Sequence, residues 1–276
     1  MSTTIPGTTT YDQLERDRYG RPLIVPPGGG KPQAYTRVST LAKTLDDEYN
    51  LRQWSARMTA IGLNKRPDLA ALVAASVDDK RALNKACQDA QEAAGSKTAA
   101  NIGTAIHAFC EAVDNGAALD TVPADYRPHV EAYQAVAAAA GLLPMRCEQF
   151  VINDGLTAAG TLDRLYWHQG LAADPDTNSV VVGDIKTGNS DPKFIALATA
   201  IQVATYAHAA TVNLDTWERT PLPVNHAVGY LVHVPQANPD KAAVFELDLE
   251  EGWNAALLAY DVRRLRGLRV HRQVRP

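Results

Sequence analysis

The chain has 276 residues, 46% of them hydrophobic and 21% charged, which is typical of a soluble globular protein with one substantial domain or two small ones. The formal net charge of −4 gives no overall attraction for nucleic acid, and no apolar stretch reaches the length of a membrane span. Cys87, Cys110 and Cys147 are far apart, which argues against a disulfide framework, a zinc site and a four-cysteine iron–sulfur cluster. The polar N-terminus lacks the features of a signal peptide, so we expect a cytoplasmic protein without a membrane partner.

The first part of the chain, residues 1–34, is rich in proline and glycine and is expected to be a flexible segment. The Gly28-Gly29-Gly30-Lys31 run fails as a phosphate-binding loop because Pro32 replaces the required Ser or Thr, so no ATP is expected. Residues 35–276 are predicted to form a single domain that is mainly helical over 35–145. Its helices are predicted from Ser39, and over Asp68–Ser76, Asp78–Ala94, Asn101–Val113 and Arg127–Ala140.

The pattern changes at residue 146, where a sheet-containing core over 146–276 is predicted. Alternating and β-branched runs indicate strands, and apolar residues at helical spacing indicate the helices between them. The predicted order is three strands, a helix, two strands and a helix, which together with the N-terminal helices gives an α/β sandwich with a mixed sheet. The strands are Cys147–Asn153, Gly160–Trp167, Val180–Lys186, His226–Val234 and Ala243–Leu249, and the helices are Pro192–Ala210 and Glu250–Arg266.

Two of these strands carry the residues that point to a reaction. Asp184 and Lys186 follow three valines and lie two apart, so they share one face of their strand. Asp163 lies in the preceding strand. Two carboxylates and a lysine at the ends of adjacent strands make a site for a hard divalent cation beside a cationic group, which suits phosphodiester hydrolysis. Taken singly, an Asp-x-Lys is usually a solvated strand edge, and only the order of the motifs favours the catalytic interpretation.

Two helices add polar residues at a spacing of four. Gln202 and Tyr206 share one helix face, as do His107 and Glu111. A surface glutamine, a partly buried tyrosine and a structural histidine are the alternatives for these residues.

Together these residues resemble the PD-(D/E)XK nuclease superfamily, specifically its RecB-like exonuclease branch, which includes many bacteriophage exonucleases. The resemblance covers roughly residues 100–210 and implies a restriction-endonuclease-like core, with a central mixed β-sheet flanked by helices, plus a helical N-terminal region. The motifs are Gly103-Thr104-Ala105-Ile106-His107, Glu148, Gly160-Thr161-Leu162-Asp163, Gly183-Asp184-Ile185-Lys186-Thr187-Gly188 and Gln202-Val203-Ala204-Thr205-Tyr206.

The resemblance implies a metal centre that holds Mg²⁺ or Mn²⁺. Asp163 and Asp184 would be its carboxylate ligands, the Ile185 carbonyl would complete the cage, and His107 would be a further ligand. Lys186 would orient or help to deprotonate the attacking water and stabilise the phosphate charge. The iron–sulfur members of this branch carry a cysteine cluster that this chain lacks, so that cofactor is not expected.

The remaining motif residues have supporting roles by the same resemblance. Gln202 and Tyr206 would hold Lys186 or the scissile phosphate. Glu148, Glu111 and Thr187 would lie behind the metal ligands or face the DNA.

The basic C-terminal stretch has two interpretations that the sequence leaves open. It is either a phosphate-contacting tail or a set of cations at the C-terminal end of a helix. The arginines concerned are Arg263, Arg264, Arg266, Arg269 and Arg272.

The function expected from the resemblance is that of a metal-dependent DNA exonuclease, phage-encoded and acting in recombination, replication or repair. Its partner would be DNA with linear ends, single- or double-stranded, with a recombination or replication protein as a further candidate. An endonuclease of the same fold and a non-catalytic DNA-binding or assembly subunit are the alternatives.

Overall fold

The computed structural model describes residues 14–171 and 178–270, without the side chain of Ala99. It divides the chain into two compact units, one formed by Met1–Asp46 and Phe109–Pro276 and the other by Asp47–Ala108. The domain predicted over 35–276 is therefore split. We call the two parts the sheet unit and the helical unit.

The sheet unit contains all the strands of the described residues. They are β1 (Leu23–Ile24), β2 (Gln33–Ala34), β3 (Thr36–Arg37), β4 (Leu142–Asn153), β5 (Ala158–His168), β6 (Val180–Lys186), β7 (Ala210–Val212), β8 (Arg219–Pro221), β9 (Val228–His233) and β10 (Ala243–Asp248). The three strands predicted over Cys147–Asn153, Gly160–Trp167 and Val180–Lys186 correspond to β4, β5 and β6, and β6 has the predicted bounds.

The central sheet is mixed and eight-stranded, in the order β10-β9-β6-β5-β4-β7-β8, with β3 paired to β5. Strand β5 pairs antiparallel with β4 and with β6, whereas β6 and β9 are parallel. Because β6 lies between β5 and β9, it is an interior strand, in agreement with its run of apolar residues. The fold is thus α/β with a central mixed sheet flanked by helices, as predicted.

The α-helices of the described residues are α1 (Val38–Ala42), α2 (Tyr49–Lys65), α3 (Pro67–Ala75), α4 (Lys80–Ala93), α5 (Ser96–Asp114), α6 (Arg127–Ala139), α7 (Ala196–Ala207) and α8 (Leu249–Arg266). A core joins one sheet face to α1, α7 and α8, and includes Leu162, Val182, Val203, Leu231 and Ala256. Helix α6 packs against β4, β9 and β10.

Part of the N-terminal segment, which the sequence predicts to be flexible, forms a hairpin. Strands β1 and β2 pair in an antiparallel hairpin, and Leu14 and Ile24 are buried together with Tyr35 against Phe150. The burial of these apolar side chains stabilises the hairpin against the sheet unit. The rest of the predicted flexible segment, residues 1–13, lies outside the described residues.

The helical unit consists of α2, α3, α4 and the part of α5 up to Ala108. Gly62 of α2 lies against the backbone of Ala90 in α4, where an added Cβ would be 1.7 Å from the Ala90 carbonyl oxygen. Only glycine permits this close approach. No helix within the described residues is long and apolar enough to cross a membrane.

Candidate active site

The site lies where β5 and β6 separate. Arg164 and Gly183 form the last pair of their antiparallel ladder, so Asp163 and Asp184 are the next residues on the two strands. Beyond this point β6 continues beside β9, with Asp184 paired to Leu231. The oxygen Oδ2 of Asp163 accepts a hydrogen bond of 3.0 Å from the backbone N–H of Ile185. Because the β5–β6 ladder has ended at this point, the side chain of Asp163 accepts the hydrogen bond of the Ile185 N–H.

Asp184 is buried, with 1% of its surface exposed, between a cation and an amide. Its Oδ2 lies 2.6 Å from Nζ of Lys186, and its Oδ1 accepts a hydrogen bond of 2.6 Å from Nε2 of Gln202 on α7. Oδ2 makes an ion pair with Lys186 but has no aligned hydrogen-bond donor. Asp184 and Lys186 contact each other, in agreement with the predicted shared face. Gln202 contacts Asp184, whereas the resemblance implied that it would hold Lys186 or a phosphate.

The charges of the site shift the pKa values of its members. Burial and the nearby Asp163 carboxylate raise the pKa of Asp184 to about 7, although Lys186 opposes the shift. Burial acts to lower the pKa of Lys186, but Asp184 and Asp163 outweigh it and the net shift is upward. Lys186 is therefore a firmly protonated ammonium, with one third of its side chain exposed.

Glu148 adds a third carboxylate. It lies on β4 between Cys147 and Gln149, which pair with Arg164 and Leu162 of β5, so it faces the position of Asp163. Its backbone φ of 51° is in the left-handed region, which a residue with a side chain adopts at a cost of roughly 1 kcal/mol or more. Burial, Asp163 and Glu111 raise the pKa of the Glu148 carboxyl to about 7. We call Glu148, Asp163, Asp184 and Lys186 the carboxylate site.

Tyr206 and Gly160 lie against each other behind the site. An added Cβ at Gly160 would be 2.9 Å from the Tyr206 hydroxyl oxygen, so the predicted Gly-x-x-Asp motif begins with a residue that makes room for the tyrosine. Burial, followed by the charges of Asp163 and Asp184, raises the pKa of Tyr206 well above its ordinary value. Its phenol is thus a neutral, buried hydrogen-bonding group.

The other predicted residues take different positions. His107 is half-buried on the part of α5 that belongs to the helical unit, and Glu111, four residues later, belongs to the sheet unit. Thr187 is buried at the end of β6, and its carbonyl accepts a hydrogen bond from the Gln236 backbone N–H. This burial favours the predicted role behind the metal ligands over the DNA-facing one.

The basic residues gather at the end of α8. Arg263, Arg264 and Arg266 occupy its last turn, while Glu250 and Glu251 occupy its first, the arrangement that the helix dipole favours. Burial, followed by Arg266 and Arg21, lowers the pKa of Arg263, so cations are crowded here. Arg269 is exposed just beyond the helix, and Arg272 lies outside the described residues.

A set of buried residues that the sequence pattern did not indicate lies beside the carboxylate site. Nε of Arg164 is 2.7 Å from Oδ2 of Asp114, and the Tyr133 hydroxyl donates to the same oxygen at 2.7 Å. The Tyr133 and Tyr166 hydroxyls are 3.1 Å apart. We call Asp114, Tyr133, Arg164 and Tyr166 the buried arginine network. Its one local signal is the charged Arg164, which stands directly after Asp163 and before the Leu165-Tyr166-Trp167 stretch of a buried strand.

Gly183 connects the two groups of residues. A Cβ at this position would be 2.4 Å from Cε2 of Tyr166, which is closer than any real contact of this kind. The residue next to Asp184 therefore has no side chain because the Tyr166 ring occupies that space.

The residues present fit a hard divalent cation in charge and donor type. Carboxylate oxygens are the ligands that Mg²⁺ and Mn²⁺ prefer, and the buried Oδ2 of Asp184 has spare accepting capacity. No group of three or more His, Cys, Asp or Glu side chains is arranged around a common ion position in residues 14–171 and 178–270. Magnesium is often held by one or two carboxylates, with water and substrate phosphate as its other ligands, so a two-carboxylate site suffices.

The protonated Lys186 and the carboxyl groups of Asp163 and Asp184 place positive and negative groups within one small region at the end of the β5–β6 ladder. Asp163 lies in the middle of β5, not at the strand end that the sequence suggested. Comparison of the sequence with protein-family models and with curated proteins finds no match.

Proposed function

We propose that the protein is a metal-dependent DNA exonuclease of the RecB-like PD-(D/E)XK type, acting in phage DNA recombination, replication or repair. The observation that carries the proposal is the position of Asp163 and Asp184 next to each other at the end of the β5–β6 ladder, with Lys186 2.6 Å from Asp184. This juxtaposition supports the interpretation of the Gly-x-x-Asp and Asp-x-Lys motifs as one site.

Asp163 and Asp184 would hold the Mg²⁺ or Mn²⁺ ion, which when bound supplies charge stabilisation at the phosphate and lowers the pKa of its water. The resemblance adds His107 and the Ile185 carbonyl to this ligand set. Gln202 keeps the Asp184 carboxylate in one orientation through its hydrogen bond to Oδ1.

Lys186 acts as a cation in this proposal. Its raised pKa means that Nζ keeps its proton at neutral pH, so it donates hydrogen bonds to the phosphate or to the attacking water. Of the two roles expected from the sequence, the pKa favours orientation and charge stabilisation over deprotonation.

End-labelled linear duplex, end-labelled single strand and a covalently closed circle, each incubated with Mg²⁺ or Mn²⁺, test the proposal. We expect the linear substrates to be shortened from their ends and the circle to remain intact. Asp184→Asn should reduce cleavage at least about 1000-fold, since the ion supplies most of the charge stabilisation, and should leave the circular dichroism spectrum unchanged.

Asp215→Asn, a change of the same kind at an exposed residue, is the matched control and should cleave normally. Cleavage of the circle would replace the exonuclease by an endonuclease of the same fold. DNA binding without any cleavage would identify a non-catalytic DNA-binding subunit. Normal turnover by Asp184→Asn would refute this active site.

A further inference from the structure

The guanidinium of Arg164 lies between the carboxylate site and the interior of the sheet unit. Its side chain is 1% exposed, and Nη1 donates a hydrogen bond of 2.7 Å to the backbone carbonyl of Asp163. The same Nη1 is 4.0 Å from Oε1 of Glu148. One side chain therefore contacts the backbone of one carboxylate residue and the carboxylate of another.

The far side of Arg164 is fixed by the rest of the buried arginine network. Asp114 pairs with Nε, and Tyr133 donates to the same Asp114 oxygen, so the guanidinium is anchored to α5 and α6. Nη2 is buried and has no acceptor among the described residues. A buried cation with an unused donor is costly, and its removal in favour of apolar residues is often neutral or stabilising. Stability alone gives little reason for this arrangement.

We infer that Arg164 is a positioning residue, which fixes the Asp163 backbone by a hydrogen bond, attracts the Glu148 carboxylate by its charge, and thereby sets how tightly the carboxylate site holds a divalent cation. This inference rests on the proposed function, because it concerns the same site. Groups behind metal ligands commonly change metal affinity by about 10- to 100-fold when they are removed.

A second bridge in the chain provides a matched control. Nε of Arg219 is 3.0 Å from Oδ2 of Asp154, its Nη1 and Nη2 donate to the Trp217 and Val25 carbonyls, and the Tyr35 hydroxyl donates to Asp154. This arrangement repeats the Asp–Arg–Tyr pattern with backbone carbonyl acceptors. It joins β8 to the turn after β4 and contains no residue of the carboxylate site.

The test is Mn²⁺ binding to the whole protein without DNA, measured by the electron paramagnetic resonance signal of free Mn²⁺, together with the thermal unfolding midpoint. Arg164→Met combined with Asp114→Asn removes both charges of one bridge, and Arg219→Met combined with Asp154→Asn removes both charges of the other. We expect the first pair to weaken Mn²⁺ binding by about 10-fold or more, and the second to leave it unchanged.

Arg164→Lys keeps the charge but cannot reach Asp114 and the Asp163 carbonyl together, so it should weaken Mn²⁺ binding as well. It replaces the double variant if that protein does not fold. Equal Mn²⁺ affinity in wild type and a folded Arg164 variant overturns the inference and leaves the proposed function intact. Absence of Mn²⁺ binding by the wild type overturns both.

Discussion

The side-chain amide of Gln202 donates a hydrogen bond of 2.6 Å to Oδ1 of Asp184 and is the neutral partner of that carboxyl group. Because Asp184 is buried, loss of this donor leaves an oxygen without hydration or a partner. We expect Gln202→Ala to lower the free energy of unfolding by about 1–3 kcal/mol, measured by urea denaturation. The loss should be larger at pH 8 than at pH 5, where the carboxyl is protonated.

Gln91 offers the matched control for that experiment. Its Nε2 donates to the neutral hydroxyls of Ser55 and Thr59 in the helical unit. Gln91→Ala should therefore cost the same at both pH values. A pH-independent loss for Gln202→Ala would show that Asp184 does not depend on this hydrogen bond.

Lys186 competes with a metal ion for Oδ2 of Asp184, from which its Nζ is 2.6 Å away. Since two cations near one carboxylate repel each other, Lys186→Met should bind Mn²⁺ at least as tightly as the wild type while losing cleavage. Isothermal titration calorimetry without DNA measures the affinity. Lys193→Met, at a more exposed lysine paired with Asp191, should change neither property. Weaker Mn²⁺ binding by Lys186→Met would instead make the lysine the group that holds Asp184 in place.

The pKa of Asp184 predicts how stability depends on pH. The native carboxyl keeps its proton up to about pH 7, whereas the ordinary value is 3.8. Between these limits the native state binds more protons than the unfolded state, so the free energy of unfolding falls as the pH rises. The protein in chelator should thus be more stable at pH 5 than at pH 8.

Saturating Mg²⁺ or Mn²⁺ should raise stability most at pH 8, because the ion binds the native carboxylates and not the unfolded chain. Urea denaturation across this range, with and without metal, checks both statements. A free energy of unfolding that rises with pH in chelator would contradict the raised pKa of Asp184.

Backbone strain at Glu148 can be separated from the loss of its carboxylate. Both Glu148→Gly and Glu148→Ala remove the acid, but only glycine adopts a φ of 51° without strain. We expect the glycine variant to be more stable than the alanine variant by about 1 kcal/mol, from thermal or urea unfolding. The same comparison at Thr157, whose φ is 46°, is the control outside the carboxylate site and should give a similar difference. Equal stabilities at position 148 would mean that the strand relaxes there.

The sequence predicted the parts of this protein that depend on local pattern. The three valines and the two-residue spacing of Asp184 and Lys186 set β6 and the shared face, and helical spacing set the face of Gln202. The five short strands β1, β2, β3, β7 and β8 were not predicted, since two or three residues carry no periodicity.

The sequence could not predict which side chains from distant parts of the chain contact each other. Asp114 and Arg164 are 50 positions apart, and only the tertiary fold brings the last residue of α5 to β5. For the same reason the sequence did not predict the contact of Gln202 with Asp184, although it indicated both as site residues. The ordered hairpin after Leu14 depends on burial against Phe150, which glycine and proline content does not reveal.

The close fit of Gly183 against the Tyr166 ring ties the backbone of β6 to a side chain of β5. Transplanting the Asp-x-Lys motif onto another sheet would need more than its two charged residues. The recipient strand would need a glycine next to the acid and a neighbouring strand whose tyrosine ring packs against that glycine. It would also need a second hydroxyl within hydrogen-bond distance of the tyrosine hydroxyl. A designer who grafted only the acid and the lysine would obtain the charges without the rigid backbone that holds them at a fixed separation.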